Sequence, residues 1–315
     1  MVSSRFDGKG GKKSRRIEVQ DGFAMMKTIV GVDLTGAFEH AVQLFRQMKF
    51  GESAMHFVNV VEPVMPDGTF PELATSHPVA QILDDLKSAG QSMLDRAKAD
   101  WPNSSTQVAF GSAASTLIQI ADDHSADLVM VGSREKSILE SIFAGSVTKA
   151  MTSSSTRPVL IGKKDSAATD GLTVVIAYDL SEYCEKALDR FVEWSPKGIG
   201  RIVLVTADTT DPSIVAVAEH IEPRMAGETM DIVNARIQQR HAAVSDKLLE
   251  VCTRVESVIV QESPKYAIDS VMKSCAADLL ILGAHGHGFV ERLVIGSLAM
   301  HEVVREPHNV LLMRA

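Results

Sequence analysis

The chain repeats itself, and this constrains its fold more than any other feature. ADLVMVGS at 126–133 returns as ADLLILGA at 277–284, an offset of 151 residues. AGSVTKAM at 144–151 returns as IGSLAMHE at 295–302, and RPVLIGKK at 157–164 as HNVLLMRA from 308, both at that offset. KTIVGVDLTGAFEHAVQLF at 27–45 matches LTVVIAYDLSEYCEKALDRF at 172–191 with an offset of 146. A five-residue length change therefore lies between the two blocks. At 315 residues the chain exceeds one ordinary core. The repeat divides it into domains at 26–163 and 172–315, joined by the small, polar linker KDSAATDG at 164–171. The first 25 residues are basic, Gly-rich and poor in apolar side chains, so they read as a disordered tail.

Within each half, short aliphatic runs alternate with amphipathic segments. In the first half the strands are IVGVD (29–33), AMHFVNVV (54–61), TQVAF (106–110), DLVMVG (127–132) and PVLIG (158–162). Helices fall between them, including 86–100, stopped by Trp101-Pro102, then 115–124 and 146–154. The second half repeats the order, with a long helix at 232–253 after a connection that begins near Glu222. Continuous aliphatic strands between helices imply a parallel sheet covered on both faces. The expected fold class is therefore α/β: two tandem open five-stranded parallel-sheet domains.

GAHGHGFVERLVIGS, residues 283–297, follows strand four of the second half. Metal site, phosphate cradle and plain turn are all open readings of its glycines and histidines. Its position decides among them. Ligands of open α/β sheets bind beyond the carboxyl ends of the strands. Gly296-Ser297 opens a helix, with Ser297 a candidate N-cap, and a helix N-terminus favours an anion. Phosphate is the better account. His285 and His287 lie two apart, but metal ligation needs a third or fourth group to converge. His301 and His308 sit on a helix and after it, so no metal site is expected.

The pattern G-x2-G-x9-G-[ST], directly after strand four of a five-stranded α/β unit, resembles the universal stress protein family. Gly283, Gly286, Gly296 and Ser297 match it in full, and strand one ends in Asp179, where that family carries an acidic residue. The resemblance spans about 290 residues in both halves and implies a Rossmann-like, adenine nucleotide alpha hydrolase-like fold. In ATP-binding members it implies that Asp179 binds on the adenosine side and Ala207 offers backbone groups to adenine. Gly283 and Gly286 would wrap the ribose and phosphates, and Gly296 and Ser297 would hold phosphate oxygens. Magnesium would accompany ATP on ligands supplied mainly by the phosphates. The family commonly dimerises through its last strands, so the resemblance implies that PVLIG (158–162) and NVLLM (309–313) pair within the chain as an intramolecular pseudo-dimer, hiding two sheet edges.

The first half departs from the pattern. It reads Gly132-Ser133-Arg134-Glu135, so Glu135 replaces the middle glycine, while Gly145-Ser146, Asp33 and Val60 are retained. A carboxylate about 4 Å from a phosphate charge, at an effective dielectric of about 20, repels it by roughly 4 kcal/mol. Nucleotide is therefore expected mainly in the C-terminal half. The GKGGKKS cluster fails the P-loop spacing, and neither VDLTGA nor YDLSEY supplies the Gly-rich turn of PP-loop ATPases.

The net charge of −8 argues against a nucleic-acid-binding body, and no apolar run is long enough for a membrane span. Three cysteines without metal spacing fit a reducing cytoplasm. No catalytic constellation stands out. The expectation is a cytoplasmic, stress-response ATP-binding sensor or binding module, with homodimerisation possible. The alternatives are a slow ATPase or phosphate-transfer enzyme at the same site and a nucleotide-free structural adaptor.

Overall fold

In a computed structural model, residues 25–62, 77–133, 145–208, 223–284 and 295–315 are described. The first half runs β1 (Met26–Gly31), α1 (Phe38–Met48), β2 (Ser53–Val61), α2 (His77–Asp100), β3 (Ser105–Phe110), α3 (Ala113–Asp123), β4 (Leu128–Gly132), α4 (Ser146–Ser154) and β5 (Val159–Gly162). The second half repeats it: β6 (Leu172–Ala177), α5 (Glu182–Glu193), β7 (Ile199–Ala207), α6 (Pro223–Leu248), β8 (Val255–Val260), α7 (Pro264–Ser274), β9 (Leu279–Gly283), α8 (Ser297–Arg305) and β10 (Val310–Met313).

The expected five-stranded units are present, and they join into one ten-stranded sheet ordered β3-β2-β1-β4-β5-β10-β9-β6-β7-β8. Within each half all pairs are parallel. The junction is antiparallel, with Val310 opposite Ile161, Leu311 opposite Leu160 and Leu312 opposite Val159. All six side chains are fully buried. This is the strand pairing the sequence suggested. Burying each such side chain is worth about 1.5–3 kcal/mol, so an apolar seam this complete resists opening. Central strands β4, β5, β9 and β10 are buried on both faces, as their unbroken aliphatic runs require. Strands β3 and β8, at the outer edges, alternate in exposure.

The helix boundaries differ most from the sequence reading at α2 and α6, and α6 also ends at Leu248 instead of 253. α2 begins at His77 instead of 86, and α6 begins at Pro223 instead of 232. The start of the second-half segment is therefore helix, not an exposed connection. Gly227 within PRMAGETM weakens helix propensity, which concealed the early start. No helix among the described residues is long and apolar enough to cross a membrane.

Polar groups secure the junction. The buried Asn309 accepts hydrogen bonds at Oδ1 from the backbone N of Lys163 (2.8 Å) and Lys164 (3.1 Å). Its Nδ2 donates to the Asp278 carbonyl at 2.9 Å. Lys163, 6% exposed, donates from Nζ to the carbonyls of Glu302 (3.0 Å) and Glu306 (2.6 Å). Burial, only partly offset by nearby Glu302 and Glu306, lowers its pKa to about 7.

Gly132, at the end of β4, serves packing. A Cβ there would lie 2.1 Å from the Ala37 backbone carbon. Gly145, before α4, has open space around it.

Two predictions follow from this packing. Gly132→Ala is expected to cost about 1–3 kcal/mol by overpacking, while Gly145→Ala costs less than about 1 kcal/mol; chemical denaturation of both variants checks the contrast. For Lys163, the unfolded chain binds more protons than the folded one between its folded pKa, about 7, and its ordinary value of 10.5. Its contribution to stability therefore rises with pH across that window. Lys163→Met removes that slope, so the wild-type melting temperature minus the variant's should climb from pH 7 to pH 10.

Candidate functional site

Each half reverses its strand order beside its first strand. The chain moves outward through β6, β7 and β8, then returns to β9 on the other side of β6. A crevice opens at such a switch point, beyond the carboxyl ends of the strands. Here it holds a cavity of about 500 Å³. Asp179, Ala207, Gly283, Gly296 and Ser297 all line it. The structure thus brings together five of the six residues expected to bind ligand. The sixth, Gly286, lies outside the described residues, as do His285, His287, Arg134 and Glu135.

Asp179 lies just past the end of β6, not within the strand as VVIAYD suggested. Its Oδ1 accepts from Ser181 N (3.0 Å) and Ser181 Oγ (2.6 Å). Ser181 in turn caps α5, its Oγ accepting from Cys184 N at 3.1 Å. The serine performs the capping, and Asp179 Oδ2 receives no hydrogen bond among the described residues. Between them, Leu180 adopts a left-handed backbone with φ of 63°, a conformation unfavourable for leucine. Arg240 Nη1 donates to its carbonyl, fixing this turn.

At the opposite end, the structure corrects the capping assignment. Gly296 is the N-cap of α8, with extended backbone, and Ser297 is the first helical residue. No side chain among the described residues caps this helix. The first-turn N–H groups of a helix have no intrahelical acceptor and carry the positive end of its dipole. Ser297, Leu298 and Ala299, which carry these groups, line the cavity. Gly296 N donates to the Ala284 carbonyl at 2.9 Å, which holds the helix start against the end of β9.

The walls are largely aliphatic, from Val205, Ile237, Ile268 and Leu282. A buried polar network that the sequence reading missed supports one side. Thr206 Oγ1 donates to the Tyr178 carbonyl at 2.6 Å. Its single proton is thereby used, so His241 donates from Nε2 to Thr206 Oγ1 (2.7 Å) and accepts at Nδ1 from Ser257 Oγ. Burial holds the His241 pKa below its ordinary value, in keeping with this neutral tautomer. In the sequence Thr206 is marked only as a polar residue closing the aliphatic run IVLV of β7. Cys184 also lines the cavity, but burial pushes its thiol up to about 12, so it is no nucleophile at neutral pH.

The first half has a smaller cavity, about 340 Å³, lined by Asp33, Asn59, Val60, Glu62 and Gly132 among others. Its described lining includes Val147 of α4 but neither Gly145 nor Ser146. Asp33 is also used differently. Its Oδ2 accepts from Thr35 N (3.0 Å), Thr35 Oγ1 and Ala37 N (3.3 Å), and its Oδ1 accepts from Phe38 N (3.0 Å). Both oxygens are committed to the start of α1. The equivalent aspartates therefore differ in the capacity left for a ligand.

This architecture agrees with the comparisons. The chain matches the universal stress protein family twice, over residues 25–163 and 172–314. Among solved structures it resembles a universal stress protein from Archaeoglobus fulgidus, with a TM-score of 0.60 and 17% identity over 91% of this chain and 98% of that one. A functionally unknown protein from Pseudomonas aeruginosa PAO1 gives 0.56 at 12% identity, covering 92% of each chain. A putative universal stress protein from P. aeruginosa UCBPP-PA14 gives 0.51 at 14% identity, covering 92% and 93%. At these identities the likeness concerns the fold. No curated protein matches the chain. Two family matches, covering nearly its whole length in the order of the internal repeat, show that the chain belongs to the universal stress protein family and carries its domain in tandem.

Proposed function

We propose that this protein is a cytoplasmic, ATP-binding sensor of the stress response, holding its nucleotide in the C-terminal half. The observation that carries this reading is the convergence on one cavity of a partly unengaged carboxylate, Asp179, and an uncapped helix N-terminus at Ser297. A carboxylate at one end accepts hydrogen bonds from ribose hydroxyls or a base amine. Unpaired N–H groups at the other end take phosphate oxygens. The aliphatic walls between them receive the flat base, and Ala207 offers it backbone groups. Gly283 and Gly286 admit the ribose and phosphates, and Mg²⁺ is carried in on the phosphates.

The domain of residues 26–163 acts in this reading as a degenerate partner to that of 172–315. Asp33 is consumed by its own helix, and Glu135 adds a carboxylate to the phosphate path. Binding, not turnover, suits the second-half cavity. Its described lining offers Asp179 and Asp208 as carboxylates, beside a thiol raised to about 12. A fast phosphoryl-transfer enzyme needs a placed base or water-orienting group near the γ-phosphate.

A charge exchange between the halves tests this. Gly286→Glu should weaken ATP binding by two to three orders of magnitude, since roughly 4 kcal/mol of repulsion corresponds to nearly a thousandfold. Glu135→Gly should raise nucleotide occupancy in the first half. Isothermal titration of ATP into both variants reads the two effects. Unchanged affinity in Gly286→Glu would refute the site. ATP turnover by the wild type well above that of Gly286→Glu would favour an enzyme over a sensor.

A further inference from the structure

We propose that Asp269, Glu306 and His308 form a binding site for a divalent first-row transition metal of the zinc class. The site is separate from the nucleotide cavity and does not depend on nucleotide binding. Asp269 lies on α7, Glu306 is the C-cap of α8, and His308 precedes β10. Each offers one ligand atom, and the three atoms lie within 4.8 Å of one another. Histidine and aspartate are set closer still, with His308 Nε2 3.7 Å from Asp269 Oδ1. Nitrogen and oxygen ligands about 2.0–2.2 Å from a tetrahedral zinc are about 3.3–3.6 Å apart. The pair is thus within a few tenths of an ångström of ligating separation, yet too far apart for a hydrogen bond.

The hydrogen bonding at these atoms points to a missing ligand. His308 is 5% exposed, and its Nε2 is buried without a partner. Asp269 Oδ1 is likewise buried without a partner. Native proteins seldom leave such atoms unsatisfied. The outer atoms, by contrast, are held. Lys273 Nζ donates to Asp269 Oδ2 at 2.6 Å, and His301 Nε2 lies 3.0 Å from Glu306 Oε1. Outer hydrogen bonds to candidate carboxylate ligands are the usual support of a metal site. One imidazole with two carboxylates suits zinc and its neighbours better than magnesium or calcium, which favour oxygen alone.

The repeat provides an internal comparison. The positions 151 residues earlier are Ile118, Ser155 and Arg157. There Arg157 ties the strand entry to α3 without a metal: its Nε donates to Asp122 Oδ1 at 3.0 Å and its Nη1 to the Ala126 carbonyl at 3.2 Å. At the equivalent place His308 makes no such bond to α7. A bound ion would complete the same tie, fixing α7 to the strand that joins the two halves. The sequence alone placed His308 after a helix as a histidine without converging partners, because Asp269 and Glu306 approach it only in the fold.

Titrating ZnCl₂ into the nucleotide-free full chain should show binding at this site with a rise in melting temperature. His308→Gln and Asp269→Asn should each weaken that binding by at least about 100-fold. The His285→Asn/His287→Asn double variant should retain it. Anomalous diffraction from zinc-equilibrated wild-type crystals locates the ion without relying on any variant, and it should lie between His308 and Asp269. The proposal is overturned by no anomalous peak there, by binding undiminished in the folded His308→Gln and Asp269→Asn chains, or by loss of all binding in the loop double variant.

Discussion

Three antiparallel residue pairs, between β5 and β10, turn two five-stranded sheets into one. Every other strand pair is parallel and lies within its own half. The seam covers the edge that each half would otherwise leave open for association with another chain. It also sets the relation between the two crevices, because β4 and β9 are the immediate neighbours of the joined strands. Asn309, Lys163 and Arg314 mark how closely the halves interlock here. All three are buried, and Arg314 Nη2 donates to the Thr152 carbonyl of α4 at 2.7 Å. The linker adds to this join, with Ser166 buried and its Oγ donating to Asp278 Oδ1 at 2.7 Å.

On this symmetric frame the two crevices have diverged. The divergence rests on how the first helix of each half is capped. In the second half, Ser181 takes the α5 N–H group, and Asp179 needs only to hold Ser181. In the first half, the aspartate itself takes the N–H groups at the start of α1, with Gly36 at φ of 82° allowing the tighter turn. A carboxylate that has both oxygens occupied offers less to a ligand, whatever surrounds it. In the proposed reading this asymmetry would act on the nucleoside, and the replacement of the middle glycine of the sequence pattern by Glu135 would act on the phosphates, both against the first half.

Much of the fold was legible in the sequence, because strands such as LVMVG and LLILG are uniform aliphatic runs between polar turns, and because the repeat displays each twice. The early turns of α2 and α6 were not, since polar residues and Gly227 hide helical periodicity. The residues of the candidate site were legible only in part. The resemblance to the family named Asp179, Gly283, Gly296 and Ser297, but not which residue caps which helix: Gly296, not Ser297, caps α8. Nor did spacing show that Gly132 is demanded by the α1 backbone rather than by a ligand. Thr206, His241 and Ser257 are far apart in sequence, and only the sheet and α6 bring them into one network.

The central claim is that two similar domains have become one binding site and one partner. Native mass spectrometry of the full chain, with adenine nucleotide added in excess, measures this directly. The account predicts one nucleotide bound per chain. Two nucleotides per chain, or none at millimolar ATP, would contradict it.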